Sequence, residues 1–89
     1  MITQSDQDAI RRVCRKYGAT RALLFGSSAD RTKEGRDIDL AVEGIAPREF
    51  FRFYGELMFA VSKPVDVVDL SRKSKFLDLV RREGIPLYE

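Results

Sequence analysis

Asp37 and Asp39 stand one residue apart in a stretch, Asp37-Ile38-Asp39-Leu40-Ala41-Val42, that otherwise reads as a buried strand. Side chains two apart on a strand share a face, so the two aspartates point one way while Ile38 and Leu40 turn into the core. Two ionised carboxylates this close repel, and burial makes each more costly. A divalent cation between them reverses the sign of that interaction. Asp66 raises the same problem, because it lies in an apolar strand between Val65 and Val67. Three aspartates converging from two strands suit one or two magnesium ions, and paired metals serve in-line phosphoryl transfer. Asp69 competes with Asp66 for the third place. It sits at its strand's end, before Leu70-Ser71, where a turn or capping role explains it, so Asp66 is preferred.

Gly26-Ser27 follows the apolar run Leu23-Leu24-Phe25. A glycine there lets the backbone approach a ligand closely, and free N–H groups in such a turn attract phosphate oxygens. The serine hydroxyl adds a further phosphate contact. Neither Gly-Ser nor a single Asp-x-Asp carries much weight alone. Together with a third aspartate on another strand they outweigh the plain alternative, a turn plus edge-strand acids that discourage aggregation.

The elements that must position these residues follow from periodicity. Ser5, followed by Asp8, suits a helix cap, and apolar positions 10, 13, 14 and 17 have helical spacing. A first helix is thus predicted over 5–17, stopped by Gly18, with Cys14 on its core face. Arg11, Arg12, Arg15 and Lys16 occupy the opposite face and read as solvated, with an RNA or acidic-partner patch as the sharper alternative. Strands are expected at 21–25, 37–42 and 65–70, and a short helical turn and loop at 29–36. A long helix runs from Pro47 to about 62, with Phe50, Tyr54, Leu57, Met58 and Val61 inward. Phe51, Phe53 and Phe59 fall off that stripe, so a second chain or the sheet edge and terminal helices should cover them. A final helix spans 71–83, with Phe76, Leu77 and Val80 inward. Residues 85–88 form a short edge strand that tolerates Pro86. The order defines an α/β fold, a mixed sheet with helices packed against it, as one domain over 1–89.

Composition narrows the classes. The 89 residues are 44% hydrophobic and 34% charged with a net charge of +2, which fits a soluble globular domain. No apolar run spans a bilayer and the first residues lack a secretory pattern. With one cysteine and no histidine, a zinc site is disfavoured, a hard cation such as magnesium or manganese is favoured, and a reducing cytoplasm is the expected setting.

With these motifs in place, the chain resembles a minimal nucleotidyltransferase of the DNA polymerase β superfamily, the stand-alone kind often paired with a HEPN-domain protein. The resemblance covers nearly the whole chain: "LLFGSSA", "DIDLAV", the long middle helix, "PVDVVDL" and the C-terminal "EGIPLYE". It implies that Gly26 and Ser27 hold nucleotide phosphates. It implies that Asp37 and Asp39 ligate magnesium and that Asp66 helps bind the catalytic metal and activate the acceptor hydroxyl. The implied activity is transfer of AMP from ATP, as antitoxin, to a tyrosine of a HEPN toxin, with a second chain or a homodimer completing the pocket. The connection between serine and first aspartate is one residue shorter than usual in that family. It reads "ADR" where an Ala-Arg-Gly turn is usual, and carries Arg36 in place of a small residue; neither Lys33 nor Arg36 is assigned a role. A partner-binding module without catalysis is the rival reading. Modification of a small molecule such as an aminoglycoside is weaker, because no acceptor domain is present.

Overall fold

The computed structural model describes residues 2–29 and 36–89. The polar connection through 30–35, Lys33 included, lies outside the described residues.

Helix α1 (Gln4–Lys16) buries Ile10, Val13 and Cys14 almost completely. Its cap is Thr3, not Ser5: the Thr3 hydroxyl accepts from the Asp6 N–H at 3.1 Å, so the helix starts earlier than the Ser5 pattern predicts. Asp6 is buried, and its carboxylate accepts from both the N–H (3.0 Å) and the hydroxyl (2.6 Å) of Ser62, tying the start of α1 to the residues after the middle helix. Burial pushes the Cys14 thiol up to about 12. Thiol-specific alkylation of the native protein at pH 8 is therefore expected to be very slow and to track unfolding when denaturant is added.

Four strands follow. β1 (Arg21–Leu24) pairs antiparallel with β2 (Ile38–Glu43), and β2 pairs parallel with β3 (Val65–Asp69). β4 (Ile85–Tyr88) joins β1 antiparallel, giving the order β3-β2-β1-β4. Pro86 thus lies on an edge strand, as its missing N–H requires. The parallel β2–β3 pair needs a crossover. It is made by a 3-10 turn (Pro47–Glu49) and helix α2 (Phe50–Ala60).

The sheet is covered on both faces. Ala22, Leu24, Ile38, Leu40 and Val42 pack with α1 and α2 on one side. Leu23 and Ala41 pack on the other with Leu70, Leu77 and Val80, the last two from helix α3 (Lys75–Glu83). Helix α3 begins later than predicted because Ser74 caps it, accepting from the Leu77 N–H at 3.0 Å. Ser71 instead belongs to the turn after β3, where its N–H and hydroxyl both donate to Asp69. The Arg81 guanidinium donates to the carbonyls of Leu70 and Arg72, fixing that connection to α3.

Helix α2 is rotated relative to the predicted stripe. Phe53 is fully buried, with the Tyr17 ring edge-on at 5.6 Å, whereas Met58 is 59% exposed. Positions 50, 53, 54, 57 and 61 satisfy the same helical spacing as the predicted set, and contact with α1 selects between them. Phe51 and Phe59 do face solvent, at 87% and 95% exposure. Phe76 also departs from its inward prediction, being half exposed while stacking edge-on against Phe25.

Candidate active site

Parity along β2 puts Ile38, Leu40 and Val42 into the α1–α2 core and leaves Asp39 and Ala41 on the α3 face. The parallel register sets Asp39 opposite Asp66 and Ala41 opposite Val68, so Asp66 shares the face of Asp39. Asp37 has the same parity just ahead of β2 and is exposed. Helix α3 covers Ala41 and Leu23 but not the start of β2 and β3, where these acids lie. Asp69 has the opposite parity and is occupied by Ser71.

Proximity of the three acids registers in their charges. The Asp39 carboxyl is held above the usual carboxylate range, first by partial burial, then by the negative charges of Asp66 and Asp37. Asp39 is therefore the member most in need of a positive partner.

Beyond Leu24 the chain turns at Gly26 into a 3-10 turn (Gly26–Ala29). Gly26 has φ +59, which side chains with a Cβ rarely adopt, and a Cβ built there would stand 2.7 Å from Asp39 Oδ2. The glycine is thus required by its backbone conformation, and the Asp39 carboxylate lies where a side chain would stand. Ser27 beside it is exposed.

Ser28 is the residue the sequence reading missed. Its buried hydroxyl accepts from the Asp39 N–H at 2.8 Å and donates to the Asp37 carbonyl at 3.3 Å, clamping the turn to the start of β2. The Phe25 N–H adds a bond to the Asp39 carbonyl at 3.1 Å. The only sequence signal was the second serine of Gly-Ser-Ser, read as part of a break. Ser28→Ala is expected to lower stability by about 1–2 kcal/mol in urea denaturation, because the Asp39 N–H loses its acceptor. Ser27→Ala should stay within about 0.5 kcal/mol of the parent. Arg36 is exposed and makes no ion pair with Asp37.

Oxygen donors of this kind match a hard cation, and a cation would relieve the charge crowding at Asp39. Among the described residues, no three acidic, histidine or cysteine side chains stand ready to hold a metal ion by themselves. Phosphate oxygens of a bound substrate are the natural further ligands at such a site.

A parallel pair formed by the central strand β2 and the edge strand β3, each carrying an aspartate, beside a glycine-serine turn after an antiparallel neighbour defines a nucleotidyltransferase-type fold. The chain belongs to the polymerase beta nucleotidyltransferase family, whose profile matches residues 8–89. Among solved structures it is similar to a toxin–antitoxin crystallised with AMP-PNP, at 27% identity and TM-score 0.74, over 91% of this chain and 71% of that one. It is similar to a minimal nucleotidyltransferase at 28% identity and TM-score 0.71, over 90% of this chain and 87% of that one. A complex of tri-AMPylated Shewanella oneidensis HEPN toxin with MNT antitoxin also matches, at 26% identity and TM-score 0.72, over 97% of this chain and 71% of that one. A comparison with curated proteins finds no match. Among the described residues, no helix is long and apolar enough to cross a membrane.

Proposed function

We propose that this chain is a magnesium-dependent nucleotidyltransferase that moves AMP from ATP to a hydroxyl, with a tyrosine of a HEPN toxin as acceptor, and so acts as an antitoxin. The observation that carries the reading is the Asp39–Asp66 pair across β2 and β3, with the Gly26 turn packed on the Asp39 carboxylate. The AMP-PNP complex and the AMPylated toxin among similar structures support ATP as donor and a HEPN protein as partner.

In this reading Asp37, Asp39 and Asp66 hold magnesium, which manganese can replace, two ions being the expected number. Bound magnesium supplies neutralisation of the triphosphate and a lowered pKa for the attacking hydroxyl. The backbone at Gly26 and the hydroxyl of Ser27 take the β- and γ-phosphates. The acceptor oxygen bonds to the α-phosphorus as the bond from that phosphorus to the bridging oxygen breaks. Pyrophosphate leaves, and the acceptor's proton passes to the Asp66 carboxylate. A cytoplasmic setting accords with an unpaired, buried Cys14.

A second reading keeps the fold as a module that neutralises its partner by contact. The observation behind it is the solvent-facing side of α2, with Phe51 and Phe59 exposed. A homodimer through the same side is a further possibility within that reading.

Intact-mass spectrometry separates the two. Proteins co-purifying with the chain are incubated with magnesium and each NTP, with the parent and with Asp39→Asn. Transfer predicts a mass gain of one or more AMP on a partner with the parent alone. An unmodified partner that binds both versions equally supports the contact module and excludes the transferase.

A further inference from the structure

Helix α2 gathers its exposed apolar residues on one side. Phe51 is 87% exposed, Met58 59% and Phe59 95%. Phe51, Gly55 and Phe59 are four apart, so they climb that side on successive turns. Gly55 stands midway without a side chain, and a Cβ built there would meet nothing within 4 Å. The ridge therefore dips at its centre and carries a phenyl ring at either end. It presents the same residue type whether it is followed towards the N-terminus or the C-terminus.

A surface of this kind fits itself. Let two α2 helices lie antiparallel across a two-fold axis through Gly55. Each residue before the glycine then stands level with the residue equally far after it in the second copy. Phe51 comes level with Phe59 of the second copy. At a rise of about 1.5 Å per residue and 3.6 residues per turn, the two flanks are also fixed. On one flank Arg52 lands between Glu56 and Phe59 of the second copy. On the other, Phe51 lands beside Met58 of the second copy, a sulfur against a ring. The two-fold axis makes each contact twice.

Charge supports this pairing. Arg52 is exposed and joins none of the ion pairs among the described residues, although Glu56 is only four residues on. Glu56 instead accepts from Lys16 at 2.9 Å and from the Tyr17 hydroxyl at 3.0 Å, both on Oε1. Its Oε2 is the atom that Arg52 of a second copy would meet, with the Phe59 ring on the other side of the guanidinium. Area supports it too. Four rings at roughly 150–250 Å² each bring roughly 600–1,000 Å². Met58 and Arg52 of both copies carry the total past the roughly 1,000 Å² that a specific interface needs.

We propose that this side of α2 pairs with a second copy of the chain, antiparallel and centred on Gly55. The pairing does not depend on the transferase reading. Helix α2 packs on one face of the sheet and Asp39 belongs to the other, so two copies joined in this way keep the Gly26–Asp39 sides open. A partner of another sequence would give no reason for a pattern symmetric about Gly55.

The test uses the intact chain alone. Sedimentation velocity over a dilution series should show a concentration-dependent species of twice the 10.2 kDa chain mass. Phe59→Glu should weaken the dimer at least about tenfold. Arg52→Glu, which sets an acid against Glu56, should weaken it as well. At concentrations where the parent is monomeric, Phe59→Glu should melt with the parent, because position 59 lies outside the fold. Oxidative cross-linking reads the register. Gly55→Cys should form a disulfide with its own counterpart, since only a residue on the axis meets itself. Arg48→Cys, more than about 15 Å from its counterpart along the paired helices, should not, and the buried Cys14 does not compete. A chain that stays monomeric at millimolar concentration, a dimer untouched by Phe59→Glu, or equal cross-linking at positions 48 and 55 would overturn the proposal. So would a face that stays free until a protein of another sequence is added.

Discussion

Asp39→Asn is expected to raise the stability of the metal-free protein while cutting nucleotide transfer by about 10³-fold or more. Both effects come from one arrangement. Partial burial and the charges of Asp66 and Asp37 hold the Asp39 carboxyl above its ordinary range. Over that interval the folded chain keeps a proton that the unfolded chain has lost, so stability falls as pH rises through the raised pKa. Asparagine carries no charge and escapes this loss. In EDTA at pH 7–8 the variant should be more stable than the parent. The gap should close as pH falls into the usual carboxylate range, where Asp39 is protonated in both states. Magnesium should stabilise the parent and not the variant. Thermal melts with EDTA and with magnesium, at pH 4 and pH 7.5, read all of these together. A variant no more stable than the parent at pH 7.5 would mean that crowding at Asp39 is too weak to call for a cation.

That balance explains why a candidate site could be named from the sequence. A carboxylate is unexpected in an apolar run, so Asp37, Asp39 and Asp66 stand out by residue type and spacing alone, although the structure leaves Asp37 and Asp66 exposed and half-buries only Asp39. Strand parity, with period two, then puts Asp37 and Asp39 on one face without further information. Their meeting with Asp66 depends on the parallel register of β2 and β3, which the sequence does not give and the structure supplies residue by residue. Ser28 stayed hidden because nothing local distinguishes it from Ser27. Its role comes from a 3-10 turn folding back on β2, a tertiary event. Asp6 is similar: its partner Ser62 lies far along the chain and becomes a neighbour only when α1 and α2 pack. The order α1-β1-β2-α2-β3-α3-β4 followed from periodicity and breakers, and the capping serine of α3 shifted one boundary. Helix α2 failed differently. With apolar residues on nearly every side, two stripes obey the same spacing, and only contact with α1 chooses one.

Replacing Phe53 and Phe59 in turn turns that ambiguity into a measurement. Both are phenylalanines on the same helix, and periodicity placed both off the inward stripe. Phe53 is fully buried against Tyr17, with Phe50 at 6.4 Å between ring centroids, while Phe59 is 95% exposed. Truncating a buried phenylalanine removes its transfer free energy and leaves a cavity, so Phe53→Ala should cost about 3–5 kcal/mol. For a chain this small that is a large part of total stability, and the melting temperature should drop by more than about 10 °C. Phe59→Ser removes no internal contact and should change the stability of the isolated chain by less than about 0.5 kcal/mol. Paired denaturation curves decide the matter. Similar losses for the two would place Phe59 inside the fold and reject the packing of α2 against α1. A large loss confined to Phe53 fixes the helix as described and leaves the Phe51–Phe59 side open for a partner.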